Sequence, residues 1–171
     1  MKKLPLLFAL LFTTLYCLAQ TDSINPAIPH YKILKTDSTY TSWTDLKKDK
    51  PVMIIYFGPD CPHCQHLMME MEKQWDDFKN VQVVMITFTR TEFPYMKMIR
   101  DFSHNYDLPK YKNVTMGTEY NVPGLPLYYV QKYYKVTSTP FVAIYDKKGK
   151  MRASFNKPPK VSELSDAIKK L

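Results

Sequence analysis

The chain has 171 residues, 45% hydrophobic and 23% charged, with 24 Lys+Arg against 16 Asp+Glu and a formal charge of +8. That length suffices for one domain of ordinary size with a real core. The basic residues are scattered singly and in pairs (Lys47-Lys48, Lys147-Lys148, Lys169-Lys170) with no long basic run, which reads as a solvated surface and speaks against a nucleic-acid partner.

Residues 1–19 read as a cleavable signal peptide. Lys2-Lys3 give a positive start, Leu4 to Leu15 is apolar apart from Thr13-Thr14, and Cys17-Leu18-Ala19 before Gln20 offers a cleavage site. Anchoring as a lipoprotein through Cys17 is disfavoured, because Leu15-Tyr16 stand where small residues are wanted. No other apolar run approaches the ~20 residues of a membrane span, so the mature chain is expected to be periplasmic or secreted, without stable membrane insertion. Cleavage takes Lys2, Lys3 and Cys17 with it, leaving 22 basic residues against 16 acidic and two cysteines.

Residues 20–39 are expected to be an exposed lead-in, with Asn25-Pro26 and Ile28-Pro29, and residues 40–171 the domain. Tyr31 to Leu34 and Tyr40 to Trp43 suit short strands, and Thr44 to Lys48 a short helix capped by Thr44. Val52 to Phe57 is an apolar, β-branched and aromatic run bounded by Pro51 and Gly58-Pro59, which predicts a buried strand. From about 61 to 78, Cys64, Leu67, Met68, Met71, Trp75 and Phe78 recur at helical spacing. Val81 to Phe88 predicts a second buried strand, giving a right-handed βαβ unit with sites at its carboxyl end. Tyr95 to Phe102 reads as a helix, Asn113 to Met116 as a short strand, and Leu127 to Tyr134 as a helix whose tyrosines belong to the core rather than to a ligand surface. Phe141 to Tyr145 and Met151 to Phe155 form a hairpin around Gly149, and Val161 to Leu171 a last helix.

The chemistry is carried by Cys61-Pro62-His63-Cys64, placed at the strand-to-helix turn. A sulfur at a helix N-terminus faces unpaired amides and a positive partial charge, which stabilises its thiolate. Pro62 suits the first helical position, where a missing N–H costs little. Cys61 is expected to attack and Cys64, three residues on, to resolve; His63 can add charge or a hydrogen bond beside the first sulfur. Two cysteines so close in sequence close too short a loop to staple a domain, so a redox role is favoured. The competing reading is a copper or zinc metallochaperone using Cys61, Cys64 and His66 or His63. It is weaker, since Cys64 and His66 do not face together on a helix and His30 and His104 are remote in sequence.

Strand, Cys-Pro-His-Cys, helix, strand, intervening helix, Val136-Thr137-Ser138-Thr139-Pro140, strand, Asp-x-x-Gly turn, strand and final helix together resemble the thioredoxin fold over roughly residues 40–171. The resemblance implies an α/β protein with a central mixed β-sheet flanked by helices. It also implies a cis peptide bond before Pro140, facing the cysteines, and substrate contacts from the Thr139 backbone. The activity implied is thiol–disulfide exchange with protein thiols and disulfides and with a redox partner protein, without cofactor or metal. Cys-Pro-His-Cys is similar to the motif of DsbA-type oxidases. The 51 residues between Phe88 and Pro140 look more like the moderate insert of TlpA/ResA-type exported thioredoxins, reductants fed by a membrane electron donor. Two positions depart from the family pattern. Asp60 stands where a tryptophan often precedes the first cysteine, and Ile55 where many members carry a buried acid that deprotonates the second.

Overall fold

A computed structural model describes residues 27–171. The proposed leader and Cys17 lie outside the described residues. The strands are β1 (Lys32–Lys35), β2 (Tyr40–Ser42), β3 (Val52–Phe57), β4 (Gln82–Thr87), β5 (Val114–Thr118), β6 (Phe141–Tyr145) and β7 (Met151–Phe155). They form one seven-stranded sheet in the order β2-β1-β5-β4-β3-β6-β7. β3, β4 and β5 run parallel; β1 lies antiparallel to β5, and β6 antiparallel to β3. The mixed α/β sheet of the thioredoxin fold is thus present.

The helices are α1 (Pro62–Lys73), α2 (Tyr95–Asn105), α3 (Tyr129–Tyr133) and α4 (Val161–Lys169). β3 is buried along its whole length because both sheet faces are covered, which is why it reads as an unbroken apolar run. Met53, Ile55 and Phe57 point into a core shared with Leu67, Met68 and Met71 of α1, Ile99 and Phe102 of α2 and Leu164 of α4. Val52, Ile54 and Tyr56 point the other way, toward Val130 of α3, Tyr134 at its C-cap, and Phe141, Ala143 and Tyr145 of β6. Burial of each such side chain contributes about 1.5–3 kcal/mol.

Several boundaries differ from the sequence expectation for local physical reasons. The chain at 44–48 is not a helix: a single 3₁₀ turn spans Trp43–Asp45. Its polar partner is the Asp45 carboxylate, which accepts the Ser42 N–H at 2.8 Å and the Thr41 hydroxyl at 2.9 Å. Helix α1 stops at Lys73 rather than near 78 and is followed by a tight turn at Trp75–Asp77. There Trp75 stacks on Tyr111 with ring centres 3.9 Å apart. Phe78 is still fully buried, so the apolar spacing continued past the helix that suggested it. Helix α3 is only five residues long because Tyr128, at φ +57°, takes a left-handed conformation just before it. Of the tyrosines expected in the core, Tyr134, just after α3, is buried and its hydroxyl meets that of Tyr145, while Tyr129 and Tyr133 are half-buried against the same cluster.

The segment between β4 and β6 is where the fold was least legible. It holds α2 and β5, and β5 joins the sheet as a third parallel strand beside β4. On β5 sits the β1–β2 hairpin. The sheet therefore takes in residues 32–35, close to the short strand expected over Tyr31 to Leu34. Gly117 permits the β1–β5 contact, since a Cβ there would lie 2.6 Å from the Leu34 carbonyl oxygen.

Candidate active site

At the carboxyl end of β3 the chain turns through Gly58-Pro59-Asp60 and enters α1. The Cys61 amide donates to the Gly58 carbonyl at 3.1 Å, and the Cys61 carbonyl accepts the amides of Cys64 and Gln65 at 3.0 Å each. Cys61 is the N-cap and Pro62 the first helical residue, as read from the sequence. The Gln65 side chain reaches back and donates to the Pro59 carbonyl at 3.0 Å, tying the loop to the helix it feeds. Nothing in the residue pattern announces that bond.

The two sulfurs occupy different surroundings. Cys61 is partly exposed and Cys64 is buried, and both are free thiols. The Cys61 S–H donates to the Thr139 carbonyl at 3.4 Å, across the cis bond joining Thr139 to Pro140. The structure thus brings Cys61, Pro62, Cys64, Thr139 and Pro140 together from two distant segments. Burial alone would raise the Cys61 thiol. The Thr139 side chain, the Cys64 thiol and the amides of Cys64 and His63 outweigh it, holding Cys61 below its ordinary value. For Cys64, burial dominates and pushes the thiol up to about 12. The Gly58 amide works against this, and the neighbouring Cys61 sulfur adds to it. His63 reaches Cys61 through its backbone amide, and its residue is otherwise exposed. His66 is exposed too, beside a groove formed with Glu70 and Pro158-Pro159.

No group of three or more His, Cys, Asp or Glu side chains among the described residues could hold a metal ion. The geometry therefore does not favour the metallochaperone reading. A groove of about 780 Å³ lies away from the cysteines, between β7 and α4, lined by Lys147, Arg152, Glu163 and Asp166 among others. None of the described helices is long and apolar enough to cross a membrane.

Sequence reasoning missed one buried acid. Glu119, at the end of β5, is 2% exposed. Its carboxylate accepts the Tyr56 hydroxyl at 2.6 Å, the Val130 amide at 2.6 Å and the Gln131 amide at 3.2 Å. Burial raises this carboxyl despite those bonds. Tyr56 points to the face of the sheet opposite Ile55, so Glu119 belongs to the α3 side and Cys64 to the α1 side.

Comparison with known proteins agrees with this architecture. The AhpC/TSA family model matches residues 24–154. No curated protein sequence matches the chain. Among solved structures, a secreted Mycobacterium tuberculosis disulfide oxidoreductase homologous to E. coli DsbE superposes with a TM-score of 0.63 at 20% identity, covering 83% of this chain and 96% of that one. StoA from Bacillus subtilis gives 0.58 at 15% identity, with 83% and 98% covered. The exposed lipoprotein thioredoxin Etrx1 of Streptococcus pneumoniae gives 0.59 at 18%, with 82% and 98% covered. At these identities the likeness is one of fold. The match over most of its length places the chain in the AhpC/TSA family, and the solved structures share its thioredoxin-like fold.

Proposed function

We propose that the protein is an exported thiol–disulfide oxidoreductase acting through Cys61-Pro62-His63-Cys64. The observation that carries this reading is the asymmetry of the two thiols. Cys61 is partly exposed at a helix N-terminus, held below its ordinary value and in contact with the Thr139 carbonyl beside a cis proline. Cys64 is buried behind it. A Cys61 thiolate attacks a partner disulfide and forms a mixed disulfide. Cys64 then displaces the partner and closes the Cys61–Cys64 disulfide. Pro62 and the His63 amide support the attacking sulfur, and the Thr139 backbone beside Pro140 is the place for a partner strand.

The substrates on this reading are protein thiols and disulfides. The attacking sulfur of Cys61 is partly exposed, within reach of a partner protein. Export rests on the leader at residues 1–19, with the mature protein periplasmic or secreted; the redox partner that recharges the pair, a membrane electron donor if the protein is a reductant, follows from the same reading. The test is a pair of substitutions. Cys61→Ser abolishes exchange with a model disulfide, and Cys64→Ser accumulates a covalent partner on Cys61, seen by non-reducing electrophoresis and mass spectrometry. Wild-type exchange by Cys61→Ser would overturn the assignment.

A further inference from the structure

Net oxidation and net reduction of a partner both pass through a thiolate on Cys64. In reduction, Cys64 must lose its proton before attacking the Cys61 sulfur; in oxidation, Cys64 is the sulfur that leaves. Its surroundings are built against that state. Cys64 is 2% exposed in a core cluster with Ile55, Phe57, Leu67 and Met68. The buried carboxylates among the described residues are Glu119 and Asp146. Glu119 is engaged on the opposite face of the sheet with Tyr56 and the α3 amides. Asp146 is engaged in the β6–β7 turn by the Lys148 and Lys150 amides and by Arg152. Apart from Cys61, the ionisable side chains nearest Cys64 in sequence, Asp60, His63 and His66, belong to exposed residues. What reaches the Cys64 sulfur is the Gly58 amide, the Cys61 thiol and the Thr139 side chain, none of them a base apart from Cys61 itself.

We propose, on the exchange reading above, that the mixed disulfide at Cys61 is released chiefly by a thiolate of the bound partner, so that the protein rearranges partner disulfides faster than it makes or removes them. The steps balance. The Cys61 thiolate attacks one sulfur of a partner disulfide; the Cys61–partner bond forms, the partner's own bond breaks, and its second sulfur leaves as a thiolate. A thiolate elsewhere in the partner then attacks the linked sulfur. A new partner disulfide forms, Cys61 departs as a thiolate, and no oxidant or reductant is consumed. The alternative exit needs the released partner thiolate to take the Cys64 proton before Cys64 attacks Cys61. That proton transfer is the slow one.

The test is a single turnover of the reduced protein with a disulfide-linked dimer of a one-cysteine peptide, acid-quenched and read by mass spectrometry. One peptide leaves in a fast phase, the other stays on Cys61 and leaves about tenfold or more slowly. Added free peptide thiol shortens that second phase in proportion to its concentration. Ile55→Asp, which places a carboxyl in the Cys64 cluster, speeds the second phase about tenfold and leaves the first unchanged. If this variant loses its native circular dichroism, the wild-type phases decide. Release of both peptides in one phase, without accumulated mixed disulfide, overturns the inference while leaving exchange at Cys61 intact. Release of neither peptide overturns the exchange reading as well.

Discussion

Cys61 and Cys64 are three residues apart and chemically unlike. Cys61 has donors around it and partial access to water; Cys64 has apolar neighbours. Alkylation of the native protein by iodoacetamide, mapped by mass spectrometry across a pH series, is therefore expected to modify Cys61 with a midpoint below that of an ordinary thiol. Its rate rises with pH through that midpoint and then levels, because the thiolate is the reactive form. Cys64 stays unmodified until the protein is unfolded. Equal labelling of both would contradict the asymmetry. The placement of Cys61 was legible because Pro62 and the preceding turn residues mark a helix start. The part played by His63 was not, since a sequence shows that a side chain is ionisable but not whether the residue's ring or its amide meets the sulfur.

Between elements, the added unit of α2 and β5 is held by two close fits. Gly117 lies against the Leu34 carbonyl, so Gly117→Ala forces β1 and β5 apart and is expected to cost about 1–3 kcal/mol in denaturant unfolding. A wild-type midpoint would mean that the hairpin is not seated as described. Glu119 joins β5 to β3 through Tyr56 and to the start of α3 through two amides. Glu119→Ala strands these buried donors, at about 1–3 kcal/mol each. The sign of its pH dependence follows from burial. A carboxyl raised by folding binds its proton more tightly in the native state, so stability falls as pH rises from the ordinary glutamate value, about 4.3, through the raised native value. Glu119→Gln is expected to flatten the plot of Tm against pH in that window; an unchanged slope would show that Glu119 is not the titrating group. Nothing around Thr118-Glu119-Tyr120 marks a buried acid, because its partners come from β3 and α3 and no local pattern records them.

For the whole molecule, the sheet's two covered faces explain what could be read and what could not. β3, β4 and β6 are buried on both sides and appear as apolar runs; the β6–β7 turn carries Gly149 at φ +72°, the position its sequence suggested. The order of cysteine motif, Thr139-Pro140 and hairpin identified the thioredoxin fold, and the cis bond at Pro140 is present. The third parallel strand was harder, since Val114 to Thr118 is short and only part-buried, and its pairing with β4 and β1 is set by long-range packing. On the proposed function, this frame holds Cys61 and Cys64 as an exchanging redox pair. Equilibration in glutathione buffers, quenched with acid and read by mass, tests it most directly. The expected result is one two-electron transition between Cys61–Cys64 dithiol and disulfide, with a midpoint in the range of roughly −120 to −270 mV spanned by DsbA and thioredoxin. Thiols that remain reduced and separate throughout that range would contradict the claim.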